Sequence, residues 1–172
     1  MRRSITLLLV LFLSMPFSLV SAEDEGIGWT LSAGGPLDDM LANHIITDTG
    51  LLVVAGSFSG AIEFDWDGLS ADDNGNSDVF IAQGSSTGIW TNTTGVGSEG
   101  DDAAVDLALH PSGDIIVLGY YCRESSRSAC NLTFTDNITL EKPSSSDDSG
   151  GIFIARAAIT GSSLEWIWAV QA

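Results

Sequence analysis

The chain has 172 residues, 23 of them acidic and 6 basic, for a net charge of −17. A surface this acidic repels nucleic acid and anionic lipid, which excludes both as partners. Most of the acids are Asp beside Gly, Ser and Asn in turns, and the bulk of the charge reads as a solubilising coat for a salty medium.

In chain order, Arg2 and Arg3 precede an apolar run from Ile5 to Val20. Val20-Ser21-Ala22 then places small residues just before Glu23-Asp24-Glu25. This is the pattern of a secretory signal peptide cut after Ala22. The run is short for a membrane anchor, which needs roughly 20 residues. Residues 1–22 are therefore set aside, and 23–172 remain as one domain-sized, secreted or cell-surface chain. No later stretch is long and apolar enough to span a membrane.

The remainder repeats itself. Trp29-Thr30-Leu31-Ser32-Ala33-Gly34 recurs as Trp90-Thr91-Asn92-Thr93-Thr94-Gly95, and the pair Asp38-Asp39 as Asp101-Asp102. An apolar strand and turn follow, Ile45 to Gly50 against Leu107 to Gly113. A β-branched strand ending in Gly comes next, Leu51 to Gly56 against Ile115 to Gly119. Asp78-Val79-Phe80-Ile81-Ala82 then matches Gly151-Ile152-Phe153-Ile154-Ala155, and each is followed by Gly and Trp, with Trp168 set against Trp90. Short apolar runs bounded by Gly, Asp, Asn and Ser predict strands, and no amphipathic helix appears. The expected fold is all-β: two consecutive four-stranded blades of propeller type, unit 1 about 29–94 and unit 2 about 95–172. A β-sandwich ranks second, since it does not require the same order of marks twice.

The order Trp, Gly-Gly, Asp-Asp, apolar strand, Val-x-Gly, Asp-Val-Phe-Ile-Ala, Gly, Trp resembles the bacterial and archaeal β-propeller repeats called SBBP repeats. The resemblance covers Trp29 to Trp168. The second unit departs from it, with Gly151 for Asp78 and Pro111-Ser112 in the turn. The resemblance implies an extracellular scaffold with no fixed activity. Propellers close with four or more blades, so two units imply an incomplete propeller, completed by further chain or by self-association.

Few residues carry chemistry. Cys122 and Cys130, paired in an exported chain, predict a disulfide. Asn92, Asn131 and Asn137 open N-x-S/T sequons and are glycan acceptor candidates. Asp72, Asn74, Asn76 and Asp78 alternate as in calcium loops, although Ser77 and Gln83 stand where the loop wants Gly and Glu; calcium is the sole cofactor they suggest, and a polar turn is the plainer reading. Asp38-Asp39 and Asp101-Asp102 recur with the unit and read as turn acceptors, not a catalytic pair. His44 and His110 have no Ser or Cys motif beside them, so no enzyme is expected. Trp29, Trp90 and Trp168 read as packing residues, whereas Trp66, flanked by Asp65 and Asp67, is a possible ligand contact. The reading is a non-catalytic scaffold binding protein or glycan. A propeller piece of a secreted hydrolase and a calcium-dependent module are the alternatives.

Overall fold

A computed structural model describes residues 28–65, 67–70, 76–124, 130–142, 150–160 and 163–172. Residues 1–22, read above as a signal peptide, and Trp66, Asp72 and Asn74 lie outside the described residues. The rest is all-β and antiparallel, in twelve strands. In sheet 1, β1 (Asp39–Ile46), β2 (Leu52–Ser59), β5 (Ser77–Gly84) and β6 (Trp90–Val96) pair in that order. In sheet 2 the order is β7 (Asp101–Leu109), β8 (Ile115–Arg123), β11 (Gly151–Thr160) and β12 (Ser163–Gln171). Strands of the two units do not interleave in one sheet. Each unit also carries a two-stranded hairpin between its second and third sheet strands: β3 (Ala61–Phe64) with β4 (Asp67–Ser70), and β9 (Asn131–Thr135) with β10 (Ile138–Glu141). A unit therefore has six strands, two more than its apolar runs predict.

The hairpin turns share one local cause. Gly50, Gly88 and Gly113 stand in the left-handed region at φ 79°, 77° and 91°, where a Cβ is strained. Each donates its N–H to the carbonyl three residues back, on Thr47, Ser85 and His110. Each of those residues also bonds the hydroxyl two places on: Thr47 to Thr49 and Ser85 to Thr87 at 2.9 Å, His110 to Ser112 at 2.7 Å.

Registers make the units equivalent residue by residue. Gly56 faces Phe80 across sheet 1, and Gly119 faces Phe153 across sheet 2. Around Phe80 stand Phe58 at 6.4 Å and Phe64 at 5.7 Å, with Trp90 5.2 Å from Phe64. Around Phe153 stand Tyr121 at 6.4 Å and Phe134 at 5.5 Å, with Trp166 4.8 Å from Phe134. The partner of Trp90 is thus Trp166, which corrects the sequence match to Trp168. Trp90 lies across from Gly84 and Trp166 from Ala157, four residues beyond Phe80 and Phe153. The β11–β12 hairpin is longer than the β5–β6 one, nine residues from Ala157 to Trp166 against six from Gly84 to Trp90, so spacing along the chain does not carry the match across.

Sheet 1 and sheet 2 stack face on face. Val53, Ala55, Val79 and Ile81 from sheet 1 share a core with Leu107, Ile115, Val117, Tyr121, Phe153 and Ala155 from sheet 2. The faces in contact are not equivalent. Sheet 2 presents its Tyr121/Phe153 face, whereas sheet 1 presents the face opposite Phe58 and Phe80. Those two belong to a second core cluster with Val54, Ile62, Phe64, Ala82 and Trp90.

Cys122 and Cys130 are bonded, with Cα atoms 5.9 Å apart, and tie the end of β8 to the start of β9. Phe58 and Phe64 are six residues apart while Tyr121 and Phe134 are thirteen apart, so this loop carries most of the extra length of unit 2. Closing so short a loop restricts the unfolded chain by about 2–3 kcal/mol. The double variant Cys122→Ser/Cys130→Ser should lose about that much in urea unfolding, and an unchanged midpoint would count against it.

Candidate functional site

The most site-like feature is a groove of about 460 Å³ on the open face of sheet 1. Its floor is Leu52, Val54 and Phe80 from β2 and β5, with Ile62 and Phe64 of the hairpin and Trp90 of β6. The period of two along β2 and β5 puts these residues on one side of the sheet. One wall is β1, with Met40 and Leu41 68% and 58% exposed. The other wall is the segment Trp29 to Ala33. That segment is fixed by Gly34, which exchanges hydrogen bonds of 3.2 and 3.1 Å with Glu63, and by the Trp90 indole, which donates to the Ser32 carbonyl at 2.8 Å. Leu31 packs onto the second cluster. Trp29 is 39% exposed, so the packing role expected of it is only partly met. Asp39 and His44 are the polar side chains among the lining residues.

Sheet 2 closes the equivalent face. Val117, Tyr121, Phe153 and Ala155 stand where Val54, Phe58, Phe80 and Ala82 stand in sheet 1, and all four are fully buried against sheet 1. Val54, Phe58, Phe80 and Ala82 are buried as well, at 7%, 1%, 4% and 0% exposure, but under the β3–β4 hairpin and the Trp29–Ala33 segment, with no second sheet over them. The opposite, outward face of sheet 2 is also apolar: Val105, Leu118, Tyr120 and Ile152 line a shallow concavity with Arg123, whose guanidinium lies 5.4 Å over the Tyr120 ring.

The two Asp pairs do serve turns. Asp39 accepts from Gly35 N–H at 2.6 Å, and Asp102 accepts from Ser98 N–H at 2.5 Å, in each case four residues back. Asp102 does more. It is fully buried and also accepts from the Ser98 hydroxyl and from Cys122 N–H, both at 2.8 Å. Burial pushes its carboxyl up to about 7 and the nearby Asp78 charge adds to this, against the opposing pull of the three donors. Beside it, Ser77 donates its N–H to Asp101 and its hydroxyl to the Asp102 carbonyl, which ties the start of β5 to the start of unit 2.

Of the calcium candidates, Asn76 donates its amide to the Glu99 carbonyl at 2.7 Å and Asp78 is buried at the start of β5. Among the described residues no group of three acidic, His or Cys side chains could hold a metal ion. Asn131 and Asn137 are exposed on the β9–β10 hairpin, whereas Asn92 is half-buried in β6 beside Gln83.

Contrary to the sequence reading, His110 does have a serine beside it. His110 Nδ1 lies 2.7 Å from the Ser112 hydroxyl, which donates to Asp114 at 2.7 Å, and Arg156 pairs with Asp114. These contacts hold the Asp114 carboxyl below the usual carboxylate range, the Ser112 hydroxyl first and Arg156 next. Ser112 N–H also donates to Nδ1. Thr47-Thr49 and Ser85-Thr87 make the same turn contact with no histidine, so this is turn architecture and not a nucleophile with its base. Sequence reasoning missed the pairing because nothing marked the three turns as one recurring type.

Compared with models of known protein families, with characterised proteins and with solved structures, the chain finds no match.

Proposed function

We propose that this chain is an exported, non-catalytic scaffold of propeller-type blades that binds a protein partner through the open groove of sheet 1. One observation carries the reading: the face of sheet 1 that corresponds to a sheet-covered face of sheet 2 has no second sheet over it, and the rims of its groove, Trp29, Met40 and Leu41, expose apolar surface above a buried aromatic floor. An apolar surface of this kind marks an interaction site. A protein surface suits it better than a glycan does, because two polar side chains offer a sugar little to bond. The blade reading is supported by the unit-for-unit match of strands, turns and aromatic quartets, and by the propeller-repeat resemblance of the sequence. Export rests on Arg2-Arg3, the apolar run and the site after Ala22.

Three measurements test the proposal. N-terminal sequencing of the released protein should begin at Glu23, and material kept inside the cell with Met1 intact would end the export reading. Dilute purified chain should bind the neutral apolar dye Nile red, and Leu41→Glu should weaken binding several-fold by placing a charge on the groove rim. Dye binding unaffected by the substitution would remove the groove as the site. Millimolar calcium should leave the melting temperature unchanged, and a rise would revive the calcium-dependent module.

A further inference from the structure

We infer that the groove of sheet 1 receives a second copy of this chain, which seats the outward face of its sheet 2 there in a head-to-tail contact. The inference rests on the scaffold reading and names its partner. The chain already contains this contact once. Between its own sheets, the face opposite Phe80 on sheet 1 covers the Phe153 face of sheet 2. By register, Ile116, Leu118, Ile152 and Ile154 of sheet 2 hold the places of Val53, Ala55, Val79 and Ile81. They stay apolar although they face outward: Leu118 is 38% and Ile152 52% exposed. The Phe80 face of sheet 1 has no second sheet over it; the hairpin and the Trp29–Ala33 segment bury its floor and leave the rim residues Met40 and Leu41 exposed. Each end of the molecule therefore presents one half of an interface whose two halves are packed together in its middle.

Polar detail agrees. Within the chain, Asn43 of β1 donates its amide to Asp106 of β7. These residues occupy equivalent places, since each accepts the next residue's N–H on its own side-chain oxygen, His44 at 2.7 Å and Leu107 at 2.8 Å. A second copy would bring its Asp106 beside Asn43 of the receiving copy, whose amide gives one N–H to its own Asp106 and has a second to offer. Among the lining residues the groove has one acid, Asp39, and the concavity on the outward face one cation, Arg123. A contact between unlike faces repeats from copy to copy, closing into a ring where the rotation allows and running on as a filament where it does not.

The test is complementation of blocked faces, read by analytical ultracentrifugation of the purified chain. Wild type should associate with rising concentration. Leu41→Glu blocks the groove and Leu118→Glu the outward face; both positions are exposed, so circular dichroism should report intact sheets. Each variant alone should associate at least about tenfold more weakly. Mixed in equal amounts, they should form one heterodimer, because each keeps the half the other has lost. Either variant still pairing with itself, or a mixture that stays monomeric while wild type associates, would overturn the head-to-tail contact. A monomeric wild type whose groove still binds Nile red would overturn the choice of a second copy and leave the groove open to a different protein, whereas loss of groove binding as well would fell both readings.

Discussion

Replacing Phe153 by alanine is expected to cost about 3–5 kcal/mol of unfolding free energy, a large part of the roughly 5–15 kcal/mol a domain has. The ring is fully buried, meets Tyr121 and Phe134 edge-on or tilted, and lies under Gly119, where an added Cβ would collide with it. Nothing can relax into the space, because sheet 1 packs on its other side. Phe80 holds the equivalent place in sheet 1, but its outer side faces the groove. Phe80→Ala should therefore cost about 1–2 kcal/mol less, since part of the vacated volume opens to water instead of forming a cavity. Urea unfolding of both variants at a concentration where the chain is monomeric measures the difference. Equal costs would mean that stacking sheet 1 on sheet 2 adds nothing at this ring.

Stability should also fall as pH rises through neutrality, because of Asp102. Its carboxyl sits near 4 in the unfolded chain and is raised to about 7 in the fold, by burial first and by the Asp78 charge in addition. The folded state thus favours the protonated form. The associated stability is fully present below about pH 4 and is lost progressively as pH rises to about 7, by roughly 4 kcal/mol in all. Exposed acids repel one another over the same range, so the titration belongs in about 1 M salt, where screening acts within about 3 Å. There Asp102→Asn should flatten the profile between pH 4 and 8. It should lower stability at the acidic end by about 1–3 kcal/mol, because its amide would face the Ser98 N–H that the carboxylate now accepts. A wild-type profile already flat in high salt would remove Asp102 as the cause.

What the sequence determined by itself is what short stretches of chain decide. Apolar runs with period two, and turns ending in glycine at Gly50, Gly88 and Gly113, depend on neighbours within a few residues; so strands, turns, the all-β class and the order of the two units were legible. The pairing of Cys122 with Cys130 was legible for the same reason, since the two lie eight residues apart. The hairpin of unit 1 was not, because Ala61–Phe64 and Asp67–Ser70 are only four residues each and do not stand out as strands. Only the tertiary structure decided which aromatic residues correspond, since the match of Trp90 to Trp166 follows from registers across sheets and not from spacing along the chain. It also decided that Asp102 is buried while its counterpart Asp39 is exposed. The two share a sequence motif and a turn bond, but Asp102 lies where unit 2 meets unit 1, under Cys122 and near Asp78. The open groove has the same origin: Phe80 and Phe153 sit in matching strands, and whether a second sheet covers the ring depends on what packs against it, which no local pattern encodes.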